Sequence, residues 1–275
     1  AETDITIAAA DWTSGSEGIK SESLDFDSNT YEYRLTIDVN HNNATQLRID
    51  TEPSTYVRAG DALATQPVIS IRDAYGNITT ADDTTVIVAS INTGTSELVG
   101  TDTITASNGT VTYTNLSYEI METISIDFDA DPELTTVTSN NITVDHNATD
   151  YYVYTSTPNY IYAGGQRGAF TVKRFDAFDN EVNNLVLSNG DDSSDPEIVY
   201  LYSSSSDVSS TFFNVETGGS ALDTIRFTDG SISKNFWYFT QDEGIHTISV
   251  SDNTSTADGD TGIDDAVYNL EVKPA

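Results

Sequence analysis

At 275 residues the chain is long enough for two domains and a remainder. It carries 44 acidic against 11 basic residues, a formal net charge of −33, which argues against nucleic acid or an anionic membrane as a partner because both need clustered Lys and Arg. There is no cysteine, so thiol catalysis, thiolate metal sites and disulfides are all excluded and the core alone must hold the fold. Self-repulsion at this charge strains a compact state, and high salt, divalent cations or a cationic partner relieve it. That fits a marine, halophilic or calcium-rich exterior. No apolar run approaches the ~20 residues of a membrane span, so no membrane insertion is expected.

In chain order, the opening Ala-Glu-Thr-Asp-Ile-Thr has no basic flank and no apolar stretch, and reads as a mature N-terminus after signal removal. Residues 1–45 form a strand-rich arm with strands expected at Asp4–Trp12 and Tyr31–Val39. The second of these ends in a connector, Asn40-His-Asn-Asn-Ala-Thr45, that returns as Asp145-His-Asn-Ala-Thr149. The arm is therefore the tail of a β unit incomplete by more than half. Its apolar positions, Ile5, Ile7, Trp12, Tyr31, Tyr33, Leu35 and Ile37, are the candidates for strand exchange between subunits.

Residues 46–147 and 148–275 then repeat one plan. Each has a Pro, an Ala-Gly turn, an alternating strand and an Asp-Ala-aromatic-x-Asn turn, at Asp73–Asn77 and at Asp176–Asn180. Ile69 and Ile71 alternate with Ser70 and Arg72, and Phe170 and Val172 with Thr171 and Lys173, as in half-buried strands. Gly76 is placed to supply a positive φ in the first turn, whose Asp and Asn cap it. Further on, Gly109–Tyr118 matches Gly230–Phe239, and Ile124, Ile126 and Phe128 alternate ahead of the second junction. Strands recur every ~8–12 residues and no helix is predicted. The fold class is all-β: two tandem Ig-like β-sandwiches preceded by the arm. Asp73 and Asp176 lie 103 residues apart but Gly109 and Gly230 lie 121 apart, so the second repeat is longer by 18. The polar stretches Asn189–Asp195 and Ser203–Ser206 place that gain in a surface insertion near 189–206.

The turn at Ala59-Gly60, the strand Gln66–Arg72, Asp73-Ala-Tyr-Gly-Asn77 and Gly109-Thr-Val-Thr-Tyr-Thr-Asn-Leu116 resemble the group 1 bacterial Ig-like repeats of invasin/intimin-type surface adhesins. The second domain matches more loosely, with Asp179 where the turn has Gly. The resemblance covers about four-fifths of the chain. It implies seven- to nine-stranded sandwiches in end-to-end arrays at a cell surface, and it brings no catalytic residue. The lectin-like tip of some such adhesins is not found here.

No enzymatic constellation stands out. The three histidines form no His-x-x-x-His pair, no Gly-x-Ser-x-Gly elbow exists, and any choice of paired carboxylates among 44 is arbitrary. The metal candidates are Asp258, Asp260, Asp264 and Asp265, whose alternate oxygen donors in a Gly-containing loop suit Ca²⁺, although with Gly262 at the middle position and no distal Glu, in a chain this acidic, a solvated loop is the favoured reading. No cofactor is required. Sequons occur at Asn43, Asn77, Asn108, Asn115, Asn141, Asn147 and Asn253, with Asn43 and Asn147 aligned at successive junctions. The run Phe236-Trp-Tyr-Phe239 sends two rings outward, either beneath the insertion or onto a contact surface. Two functional readings follow. One is an extracellular structural subunit that polymerises with itself into a filament or layer through the arm. The other is an adhesin fragment that binds a glycan or surface ligand through the second-domain insertion.

Overall fold

The computed structural model describes residues 19–26, 33–183, 197–228 and 230–275. Every regular element among them is a strand, so none of them is a helix long and apolar enough to cross a membrane. In order, the strands are β1 (Ile19–Phe26), β2 (Tyr33–Val39), β3 (Ala44–Thr51), β4 (Tyr56–Arg58), β5 (Val68–Asp73), β6 (Val86–Thr93) and β7 (Thr103–Thr105). They continue as β8 (Thr110–Thr112), β9 (Thr123–Asp131), β10 (Val137–Thr138), β11 (Ile142–Asp145), β12 (Tyr151–Ser156), β13 (Ile161–Tyr162) and β14 (Gly168–Phe175). The last are β15 (Glu197–Ser203), β16 (Thr211–Phe213), β17 (Ala221–Leu222), β18 (Thr224–Phe227), β19 (Ser233–Phe239), β20 (Gly244–Ser251) and β21 (Ala266–Lys273).

Two compact units result. The first takes the described residues up to Val57, Ala62–Tyr118 and Thr123–Thr143; the second takes Val144–Ala275 with the turns Arg58–Asp61 and Glu119–Glu122. In the first, a sheet of order β3-β5-β8 faces one of order β4-β11-β9-β6-β7, with β10 paired to β9. Alternation sends Ile69 and Ile71 from one sheet, and Ile124, Ile126 and Phe128 from the other, into a shared core where all five are fully buried. Tyr113 ties the layers together, its ring 5.6 Å from Phe128 and its hydroxyl donating to Ile87 O at 3.2 Å.

The second unit repeats this with orders β12-β14-β19-β16-β17 and β13-β21-β20-β15-β18. Both sheets feed one core that includes Phe170, Val172, Phe212, Phe236 and Tyr238 from the first and Val199, Leu201, Ile248, Val250 and Leu270 from the second. Phe170 and Phe236 stack with centroids 5.2 Å apart and planes 3° apart. Burial of each such ring contributes about 1.5–3 kcal/mol.

The structure divides the length gain differently from a single insertion at 189–206. From turn aspartate to the next strand there are 13 residues in the first unit (Asp73 to Val86) and 21 in the second (Asp176 to Glu197). From that strand to the following one there are 17 (Val86 to Thr103) and 27 (Glu197 to Thr224). Eight residues are thus gained before β15 and ten after it, and residues 197–203 are not a loop but a strand with Val199 and Leu201 in the core. The later gain carries β16 and β17, which extend the sheet beyond β19. Residues 184–196 lie outside the described set.

The arm also differs from expectation. The segment Asp4–Trp12, with Ile5, Ile7 and Trp12, and also Tyr31, lie outside the described residues. Tyr33, Leu35 and Ile37 are on β2, whose partner is the unanticipated β1. Ser23-Leu-Asp-Phe26 matches Ser125-Ile-Asp-Phe128, and Ile37-Asp-Val-Asn-His41 matches Ile142-Thr-Val-Asp-His146. With those residues aligned, the pair Glu22↔Ile37 falls on the pair Ile124↔Ile142, so β1–β2 shares that pair with β9–β11 before its own register shifts between Ile19 and Glu22.

One charged group sits in the second core. Arg174 shares the parity of Phe170 and Val172, and its side chain is fully buried. Its guanidinium donates to Glu197 Oε2 at 2.8 Å and lies 4.5 Å over the Phe227 ring, while the Tyr152 hydroxyl donates to Glu197 Oε1 at 2.8 Å. Removing Glu197 leaves a buried cation without a counter-charge. Glu197→Ala is expected to cost about 3–5 kcal/mol in urea unfolding, and a loss below ~1 kcal/mol would show that this pair does not anchor β15 to β14.

Candidate functional site

Three places concentrate polar chemistry, and the first occurs twice. At the start of each unit a turn aspartate gathers the incoming chain. Asp73 Oδ1 accepts from Tyr75 N and Asn77 N at 2.9 Å each, and Oδ2 accepts from Asn77 Nδ2 at 3.0 Å and Asn42 N at 2.9 Å. Asp176 does the same with Phe178 N and Asn180 N at 2.9 Å, Asn180 Nδ2 at 3.0 Å and Asn147 N at 2.8 Å. Both carboxylates are buried. Gly76 takes φ +85° as the turn requires, and Asp179 meets the same requirement at φ +65°. The histidines repeat as well, His41 Nδ1 against Asn42 O and His146 Nδ1 against Asn147 O, each at 2.8 Å. The donation from Asn42 N, foremost, together with those from Asn77 and Tyr75, holds the Asp73 carboxyl well below the usual carboxylate range against the opposing effect of burial.

This geometry changes the alignment of the sequons. Asn42, not Asn43, is the counterpart of Asn147: each donates its N–H to the turn aspartate and accepts the next residue's N–H on Oδ1. The extra Asn in the first connector hides this in the sequence. Asn43, Asn77, Asn108, Asn115 and Asn141 are exposed, whereas Asn147 and Asn253 are half-buried. The Asn147 amide donates to Ala59 O at 2.9 Å and the Asn253 amide to Asp258 Oδ2 at 2.8 Å. In the second unit the Asn180 amide is further occupied, donating to Glu119 O and accepting from Met121 N at 2.8 Å each.

The second place is the β20–β21 loop. Of the four acidic candidates, Asp258 and Asp265 come together, and their third member is Asp252; Asp260 and Asp264 do not join them. Carboxylate oxygens of the three lie within 4.8 Å of one another. Asp252 directly follows β20 and Asp265 directly precedes β21, so strand pairing brings together residues that sequence spacing keeps apart.

The third is a cleft of about 550 Å³ lined by Gly165, Arg167, Phe213, Glu216, Gly218 and Phe239 among others. Arg167 lies 3.2 Å over the Phe213 ring centroid and donates to Val215 O at 2.7 Å and Gly218 O at 2.6 Å. Of the run at 236–239, Phe236 and Tyr238 are fully buried, while Trp237 and Phe239 take the opposite parity and are half-buried. Trp237 pairs with Phe213 on β16, so the outward rings adjoin the strands of the second length gain.

No protein-family profile and no curated protein matches the chain. Among solved structures it is similar to the D0-D1 domain of intimin, with 14% identity, 84% of this chain and 98% of that chain covered, and a TM-score of 0.28. It is similar to the Yersinia pseudotuberculosis adhesin InvE, with 14% identity, coverages of 82% and 58%, and a TM-score of 0.33. It is also similar to a beta-glycosidase from Bacteroides vulgatus, with 10% identity, coverages of 84% and 25%, and a TM-score of 0.33. The chain thus spans about half of the InvE chain and a quarter of the glycosidase chain. With TM-scores this low, the architecture rests on the strand orders and registers described above.

The lowered Asp73 pKa has a definite sign. A carboxyl whose folded pKa is depressed adds stability above its unfolded pKa, near 3.9, and loses it as pH falls towards the folded value. Asp73→Ala is expected to melt below the parent at pH 7, with the gap narrowing steadily between about pH 5 and pH 2. A gap that stays constant over that range in thermal melts would show that the carboxylate charge is not what clamps the turn.

Proposed function

We propose that this chain is an extracellular structural subunit of a cell surface, which assembles into a filament or layer when a neighbouring copy supplies strands to the β1–β2 sheet. The observation that carries this reading is the aligned pair that β1–β2 shares with β9–β11, Glu22↔Ile37 against Ile124↔Ile142. In the first unit β9 also pairs with β6, and β11 with β4. In the second, β20 and β21 are likewise flanked by β15 and β13. Among the described residues β1 and β2 pair only with each other. A two-stranded ribbon with both edges open is marginal in water, and open edges recruit strands. Strands exchanged between identical subunits make a heterologous contact, which propagates into filaments or closes into rings. The acidic, cysteine-free composition and the resemblance to bacterial Ig-like repeats support an exterior, non-enzymatic role.

A second reading is an adhesive module, favoured by the cleft beside Phe213 and Phe239. Phe213 and Phe239 beside Arg167 and Glu216 give it the mixed apolar and polar lining of a small-ligand site, for which a glycan or other surface ligand is the occupant.

Negative-stain electron microscopy of the full chain and of a form lacking residues 1–40 separates the two. Assembly predicts filaments or sheets that vanish on truncation while the β circular dichroism and cooperative unfolding persist. Polymers of unchanged form in the truncated protein would remove the arm from the mechanism. Single particles in both samples would favour the adhesive module.

A further inference from the structure

We propose that the β20–β21 loop is a Ca²⁺ site, with Asp252, Asp258 and Asp265 as its carboxylate ligands. Two strand ends hold two of the three groups in place, Asp252 after Ser251 and Asp265 before Ala266. Asp258 is fixed by Ser251 Oγ at 3.0 Å and Asn253 Nδ2 at 2.8 Å, and Asp265 Oδ2 accepts from Gly259 N at 2.8 Å. The remaining oxygens are what point to an ion. Asp252 Oδ1 and Asp265 Oδ1 are both buried from solvent and accept no hydrogen bond. A buried carboxylate oxygen without a donor costs several kcal/mol, and here two of them belong to one cluster of three negative groups.

A cation between them removes that cost. Ca²⁺ takes oxygen ligands at 2.3–2.6 Å in a flexible shell, so opposed ligand oxygens stand up to about 5 Å apart. Carboxylate oxygens of the three groups are close enough together to share one such ion. Mg²⁺ demands a smaller, strictly octahedral shell and fits less well. Gly262 closes the loop over the cluster at φ +84°, where a Cβ would stand 2.7 Å from Asp252 Oδ2.

The test uses the full chain freed of divalent ions by chelation, melted at constant ionic strength in NaCl, MgCl₂ or CaCl₂. Constant ionic strength matters because a chain of charge −33 is stabilised by screening alone. Ca²⁺ at about 100 times the dissociation constant of an extracellular-type site is expected to raise Tm by roughly 5 °C or more over NaCl. Asp252→Asn should lose that increment, and without Ca²⁺ it should melt no lower than the parent because repulsion is relieved. Asp260→Asn, outside the cluster, should keep the full increment. An Asp252→Asn protein with no cooperative transition would pass the same test to Asp265→Asn. A Ca²⁺ effect no larger than that of NaCl, an equal effect of Mg²⁺, or a full increment in the cluster variants would overturn the site.

Discussion

The donation of a connector N–H to a buried aspartate is the contact on which each sandwich is built. A carboxylate offers about four lone-pair sites, and Asp73 and Asp176 each fill theirs with three N–H groups of the local turn or its Asn and one from the incoming chain. The turn closes the end of β5 or β14, and the connector begins β3 or β12. The same carboxylate therefore fixes where the first strand pair starts. Register follows from that starting point, since one residue of slip would turn Ile69 and Ile71, or Phe170 and Val172, away from the core.

Buried and half-buried anions in so acidic a chain sort by how they are answered. Asp73 and Asp176 are answered by backbone and amide N–H groups. Glu197 is answered by a guanidinium, a phenol and the Thr149 hydroxyl. Each arrangement satisfies the carboxylate, and each sits where two elements must be held together. The β20–β21 loop is different in kind, because its carboxylates face one another. Screening by bulk salt cannot satisfy an oxygen that solvent does not reach, whereas a bound ion can.

Much of this was legible in the sequence because it is periodic or repeated. Alternation locates the strands and their core faces, and the duplicated Asp-Ala-aromatic-x-Asn turn defines the repeat and the conformation at Gly76, whereas the same conformation at Asp179 emerges only from the structure. What was missed depends on pairing across distance. Arg174 continues the parity of Phe170 and Val172 but draws no notice in the sequence, and only the fold shows its partner Glu197, 23 residues later. The length gain was read as one surface loop because polar stretches flank 197–203, and Tyr200 and Tyr202 between the apolar residues blurred the strand signal. β1 was overlooked although Leu24-Asp-Phe26 echoes Ile126-Asp-Phe128, since charged residues interrupt its alternation. Asp252 was not grouped with Asp258 and Asp265 because antiparallel pairing, not spacing, brings the ends of a 14-residue segment together.

The two units also show where this plan tolerates change. Gains of eight and ten residues fall on either side of β15, and the strand keeps its place between β20 and β18. By contrast, the pair Ile124↔Ile142 of β9–β11 keeps its counterpart, Glu22↔Ile37, in β1–β2. This contrast follows from closure entropy, which grows only slowly with loop length, whereas a shifted register loses a whole row of core contacts at once. The central hairpin is thus the most constrained part of the plan and the edge connections the least. Among the described residues β1 and β2 pair only with each other, and on the proposed reading the strands that complete their sheet take the places that β6 and β4 hold beside β9 and β11.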